Sequence, residues 1–221
     1  MTVEATVIIP TYQHGLYIVA AVESVLAQTV PCHIVVVDDG STDGTSAALL
    51  PPPSNNRHGV TVIRTEHNGV GAARNMGLDM AVTDYVMFLD ADDSIEPTKI
   101  AHQINALSRV REAGVSLCDV MINDATFKLK ERASTRYNYD GRGFYADAIL
   151  TLRGSLKREN FIPNMSPLYT RSAIGDVRFP DGPLEDWAFL RAVSERTAFT
   201  YIPEVLATYN RGRYGRHNPK R

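Results

Sequence analysis

Two cysteines and one tryptophan are all that the 221 residues contain of either type. Cys32 and Cys118 lie far apart in apolar surroundings, which excludes a disulfide framework and a zinc pattern and makes a reducing, cytoplasmic setting the simplest expectation. No apolar run approaches the roughly 20 residues that cross a bilayer, so no transmembrane segment is expected. Met1-Thr2-Val3-Glu4-Ala5 has no basic stretch leading into an apolar one, so it does not read as a signal peptide. An excess of one charge is also missing. The 23 Lys and Arg stand against 25 Asp and Glu, a net −2, which excludes a uniformly basic nucleic-acid coat and an acidic disordered tail. There is no internal repeat and no low-complexity segment.

What is present fills a core: 44% of the residues are hydrophobic, over a length that suits one large or two small domains. The small net charge hides an asymmetry. Residues 1–110 carry five basic and twelve acidic side chains (−7), and residues 111–221 carry eighteen basic and thirteen acidic (+5). Halves opposed in this way suit a site where a cation meets an anionic ligand or acceptor.

Short apolar runs alternate with helical periodicity through the first half, the pattern of parallel strands joined by crossover helices. Ala5 to Ile9 reads as a buried strand stopped by Pro10, followed by a helix with Leu16, Val19, Ala20, Glu23 and Leu26 on one face. His33–Val37 is the next strand. The turn-rich Asp38 to Thr45 then offers Ser and Thr caps for a short helix up to Leu50, ended by Pro51-Pro52-Pro53. A strand at Val60–Arg64, a helix over 70–82, a strand at Tyr85–Leu89 and a helix from Pro97 to about Ala113 complete this half. Val115–Ile122 reads as a further strand and 124–160 as a polar, basic insertion. A helix starts at Pro183, and Thr197–Tyr209 reads as a hairpin around Pro203.

In an open parallel sheet, ligands bind beyond the carboxyl ends of the strands. Those ends are acidic here: Asp38 and Asp39 after the second strand, and Asp90, Asp92 and Asp93 after the fourth. Carboxylates crowded at one crevice repel one another unless a divalent cation or hydrogen-bond donors compensate, although Asp is also a common turn residue. Asp-x-Asp suits magnesium or manganese, which take oxygen ligands and keep positions open for phosphate. Gly69-Val70-Gly71-Ala72-Ala73-Arg74 resembles the opening of a dinucleotide fingerprint, but Arg74 replaces the third glycine and no acidic residue closes the expected strand, which argues against NAD. The glycines serve phosphate approach or helix packing, and Arg74 either offers a donor fork or sits on the surface. Asp39 to Gly44 is like a calcium loop without its twelfth-position Glu. Glu185 and Asp186 open a helix, where the dipole favours carboxylates; as catalytic residues they could accept a proton from an attacking hydroxyl.

Taken together, Val7 to Tyr12, Glu23 to Thr29, Val36 to Thr45, Gly71 to Leu78 and Phe88 to Asp93 resemble glycosyltransferase family 2 over about residues 5–100. Leu184 to Trp187 and Ile202 to Tyr209 resemble its Glu-Asp motif and closing hairpin. The resemblance implies an α/β GT-A fold, with a Rossmann-like, mostly parallel central sheet flanked by helices. It implies a single continuous domain, with residues 1–114 as the nucleotide-sugar-binding half. Residues 115–221 would be the acceptor-binding half, with the general base and a basic tail. It also implies an inverting, metal-dependent transfer from a nucleotide-diphosphate sugar, UDP-sugar by default, to an acceptor hydroxyl. Pro10, Thr11, Tyr12 and Asp39 would hold the base, with Asp38 close by, Arg74 near the diphosphate and Asp90 near the ribose. Asn68 and Ala91 belong to the same donor-binding set. Asp92 would bind manganese or magnesium, with His217 the candidate to complete the metal shell, and Asp186 would be the general base. Gln13 and His14 depart from the family's pattern in the donor loop. The acceptor would be a glycan, a lipid-linked sugar or another hydroxyl, with modified DNA an alternative that the basic tail permits. A non-catalytic nucleotide-sugar-binding protein is the alternative from another class.

Overall fold

The computed structural model describes residues 4–49, 58–136 and 162–211. The first half alternates as expected: β1 (Ala5–Thr11), α1 (Ile18–Leu26), β2 (Cys32–Asp38), β3 (Gly59–Arg64), α2 (Val70–Met80), β4 (Tyr85–Phe88), β5 (Ser94–Ile95) and α3 (Lys99–Arg109). The second half supplies β6 (Ala113–Asp124), β7 (Leu129–Arg132), α4 (Ala133–Arg136), β8 (Leu168–Thr170), α5 (Arg171–Ile174), α6 (Glu185–Ser194) and β9 (Ala198–Arg211). Among the described residues the strands form a single sheet in the order β3-β2-β1-β4-β8-β6-β9-β5, with β7 on β6. Strands β3, β2, β1 and β4 are parallel. β8 runs antiparallel between β4 and β6, so β6 and its parallel partner β9 point the same way as β1.

Both faces of this sheet are covered, which is why its strands read as unbroken apolar runs. Val7 and Ile9 of β1 pack with Ile18, Ala21 and Val22 of α1 and Ile100 and Leu107 of α3. Between them, Ile8 turns to the other layer, with Leu78 of α2 and Phe189 and Leu190 of α6. Gly77 lets α2 approach closely: a Cβ there would lie 2.3 Å from Ile8 Cγ2.

Several expectations are corrected. Pro10 does not stop β1, which continues to Thr11. The Leu89 N–H bonds the Ile8 carbonyl just past the last paired residue of β4, so the ring nitrogen of Pro10 faces a side where no ladder bond remains to be made. The buried face of α1 is Ile18, Ala21, Val22 and Val25, while Leu16 is 90% exposed. The short helix up to Leu50 is only a 3-10 turn at Ala47–Leu49, and the three prolines after it lie outside the described residues. Instead of capping a helix, the hydroxyls of Ser41, Thr42 and Thr45 clip the loop after β1, bonding the Gln13 N–H, the Gln13 amide and the His14 N–H. Residues 129–136 of the expected insertion form β7 and α4, and 137–161 lie outside the described residues. α6 starts at Glu185 rather than Pro183. Thr197–Tyr209 is not a hairpin: β9 is one strand, and its pairing to β6 steps from Ile202 to Val205 so that Pro203 and Glu204 bulge out. Pro203 lacks the N–H that a paired position needs, and a bulge absorbs it.

Candidate functional site

The carboxyl ends of β1, β2 and β4 and the start of α2 surround a cavity of about 430 Å³. Pro10, Thr11, Tyr12, Asp39, Arg74, Asp90, Ala91, Asp92 and Glu185 line it, and so do His14, His67 and Tyr209. Most of the residues expected from sequence are thus brought together by the fold, but Asp38, Asn68 and Asp186 are not among those that line the cavity.

At the end of β2 the two aspartates part company. Asp38 is fully buried and turns into its own loop, taking the Ser41 N–H and the Ser46 hydroxyl, so its carboxylate holds the loop rather than facing the cavity. Asp39 lines the cavity and accepts from the N–H of Asn68 at 2.8 Å and of Gly69 at 2.9 Å. It thereby fixes the turn into α2, and Asn68 contributes through its backbone. The buried hydroxyl of Thr11, a residue of the cavity wall, has no hydrogen-bond partner among the described residues. Tyr12, by contrast, is 41% exposed. Gln13 beside it adopts φ 58°, strain that the clip to Ser41 and Thr42 sustains.

At the end of β4, Asp90 accepts from Arg74 Nη2 at 2.7 Å and from Asn164 Nδ2 at 3.2 Å. Arg74 is buried, not on the surface, and its Nη1 reaches Glu185 Oε1 at 2.5 Å. Burial alone would lower its pKa, but the Asp90 and Glu185 carboxylates outweigh that and hold it above the ordinary guanidinium value. Glu185 is therefore an anchor for the first turn of α6. Asp92 lines the cavity, whereas Asp93 turns away to accept the Asn210 N–H of β9 at 2.8 Å.

Asp186 follows Glu185 and is half-buried. Burial pushes its carboxyl up; Glu185 and Asp90 add to the rise, and the Trp187 N–H at 2.7 Å and Arg74 oppose it. Leu184 before it sits at φ 62°, a left-handed conformation costly for leucine, which the anchored Glu185 helps to maintain. His14 in the cavity wall has its pKa lowered by burial, with Asp90 and Asp43 working against that.

Among the described residues no group of three or more His, Cys, Asp or Glu forms a metal cage. The chemistry of the wall nevertheless fits a divalent cation. Asp39, Asp90, Asp92 and Glu185 line the cavity with Arg74 as the one Lys or Arg among its described lining residues, and two of those carboxylates already hold that guanidinium. An anionic ligand needs added positive charge there, and magnesium or manganese binds through one or two carboxylates plus substrate phosphates. His217 lies outside the described residues. Sequence reasoning missed His67, Asn164 and Tyr209 as parts of the site. His67 follows a strand end and could have been found by that rule, whereas Asn164 and Tyr209 arrive from remote segments.

Fold and site together define an α/β protein with a cavity at the carboxyl ends of its parallel strands, the place where open sheets of this kind bind ligands. The model of the family described as glycosyl transferase family 2 matches residues 6–159. The chain belongs to that family, and it spans less than half the length of most of the curated relatives it matches. An uncharacterized glycosyltransferase of Haemophilus influenzae is 26% identical over 189 residues, covering 83% of this chain and 69% of the relative. The succinoglycan biosynthesis protein ExoW of Rhizobium meliloti is 39% identical over 108 residues, 47% of this chain but only 34% of ExoW. Residues 1–349 of S. aureus TarS, solved with UDP-GlcNAc, superpose with a TM-score of 0.75 at 21% identity, over 97% of this chain and 60% of that one. The mannosyltransferase PcManGT of Pyrobaculum calidifontis, solved with GDP-Man and Mn2+, gives 0.70 at 21%, over 93% and 56%. These likenesses establish the GT-A fold. No helix among the described residues is long and apolar enough to cross a membrane.

Proposed function

We propose that the chain transfers a sugar from a nucleotide-diphosphate sugar to an acceptor hydroxyl in a single inverting displacement, with Asp186 as general base. The observation that carries this reading is the first turn of α6: Glu185 is locked to buried Arg74, and next to it Asp186 has its carboxyl pushed up by burial. A carboxylate held in place with a raised pKa is suited to accept a proton. The acceptor oxygen gives its proton to Asp186 as it bonds the anomeric carbon. The bond from that carbon to the diphosphate oxygen breaks, and its electron pair leaves with the nucleoside diphosphate. No second carboxylate is needed as a nucleophile.

Tyr12, Thr11 and Asp39 would seat the base at the ends of β1 and β2, and Asp90 would lie by the ribose. Asp92 would hold a magnesium or manganese ion, whose chemistry there is charge stabilisation on the departing diphosphate. Uridine is the default base; binding of UDP-GlcNAc by TarS and of GDP-Man by PcManGT supports a nucleotide-sugar donor and keeps guanosine in the test.

The test is thermal unfolding with UDP, GDP, CDP and dTDP, each with and without manganese. A ligand at about 100 times its dissociation constant stabilises by about 2.7 kcal/mol, several degrees in a chain of this size. One nucleotide should raise the midpoint, and only with manganese. A midpoint unmoved by all four overturns the donor reading.

A further inference from the structure

The donor reading gives His67 no task, yet it stands on the cavity wall in the turn between β3 and α2. Its ring lies on that of Tyr12, with centroids 4.0 Å apart and planes 22° from parallel. Its Nδ1 is 2.9 Å from Asp39 Oδ2 and 3.1 Å from the Asp39 carbonyl oxygen. A flat nitrogen heterocycle stacked on tyrosine, with a ring nitrogen on a carboxylate, makes the contacts a nucleobase would ask of the same two residues.

On the face of Tyr12 that His67 covers, both cannot be served at once. Rings at 4.0 Å are in contact and leave no room for a third between them. The Asp39 carboxylate, with about four acceptor sites, already takes the Asn68 and Gly69 N–H groups, and His67 takes a further share. Of these three partners His67 alone is a side chain, and at 55% exposure it can swing outward without opening the core, whereas the two backbone groups are fixed by the turn into α2.

We infer that His67 is a built-in occupant of the nucleobase seat: its imidazole holds Tyr12 and Asp39 in the arrangement a base uses, and a nucleotide displaces it on binding. This rests on the donor reading above. Nucleotide affinity is then net of the contacts His67 gives up, and the residue at position 67 sets donor affinity through the base alone.

Calorimetry on the full chain with manganese tests this, using UDP and GDP as probes and inorganic pyrophosphate as a ligand that lacks a base. His67→Ala should bind the preferred nucleotide about 3- to 10-fold tighter, the range expected for removing a competing aromatic contact, and pyrophosphate with unchanged affinity. As a check that needs no variant, the His67 ring protons, shifted upfield by the Tyr12 ring in the free protein, should move downfield with nucleotide and stay put with pyrophosphate. Equal or weaker nucleotide binding by a folded His67→Ala, or a ring that stays shifted in the nucleotide complex, overturns the inference while leaving the donor reading intact. Binding of neither nucleotide by wild type or variant removes the donor reading, and this inference with it.

Discussion

The end of β2 and the end of β4 each bring neighbouring aspartates to the cavity, and each divides them between wall and scaffold. Asp39 and Asp92 line the cavity, while Asp38 and Asp93 turn inward to hold a loop and a strand. The two ends differ in what answers the charge. Asp39 is met by backbone N–H groups and an imidazole, whereas Asp90 is met by a buried guanidinium shared with Glu185. On the proposed function, dipolar partners at the β2 end would suit an uncharged base. The guanidinium is already shared between two carboxylates, so the β4 end stays acidic, and on the proposed function a cation would offset that charge for a diphosphate.

The widest gap should come from the residue that the β4 end holds in place. Asp186→Asn is expected to lower the transfer rate about 10²- to 10⁴-fold with nucleotide binding retained, measured as sugar transfer at saturating donor; near-wild-type turnover would remove Asp186 from the mechanism. The wild-type rate should carry the matching pH signature. A base works only when ionised, and a carboxyl pushed up by burial ionises at higher pH than an ordinary aspartate near about 3.9, so kcat should climb through a limb above that value. The limb should be missing in Asp186→Asn.

Arg74→Ala strikes the β4 end alone. It strands Asp90 and Glu185 beside each other and should cost about 3–5 kcal/mol, roughly 2–4 °C of midpoint for each. A midpoint within a degree of wild type would show that the pair is not holding α6. A smaller contrast separates neighbours. Asp93→Ala removes the acceptor of a buried N–H and should lose about 1–3 kcal/mol while keeping the manganese-dependent nucleotide shift. Asp92→Ala should do the reverse, losing the shift with less harm to the fold. If both variants lost the shift equally, the division between wall and scaffold at this end would be wrong.

Much of the β2 and β4 ends was readable in advance, because turn chemistry and strand-end position are local. The strand-end rule found Asp39, Asp90 and Asp92, and the parallel first half followed from alternating apolar runs. The same rule could not divide Asp38 from Asp39 or Asp92 from Asp93, since adjacent carboxylates differ only in which way the backbone turns them. Arg74 was equally open: its spacing fits a surface residue as well as a buried one, and only the arrival of Glu185, 111 positions later, decides it.

The second half shows where local reading stops. Pro203 suggested a turn, yet β9 runs past it because β6 offers a long parallel partner and a bulge accommodates the missing donor. The buried face of α1 lies elsewhere than the mark suggested by Leu16, because a short helix with apolar residues on several sides takes its orientation from the sheet beneath it. The sequence by itself determined the α/β class, the family and the acidic strand ends, all of which rest on short-range pattern. Which carboxylate faces the cavity, what neutralises Arg74, and that the His67 imidazole stacks on Tyr12 beside Asp39 were decided only by the tertiary structure, because each depends on contacts between segments that are distant along the chain.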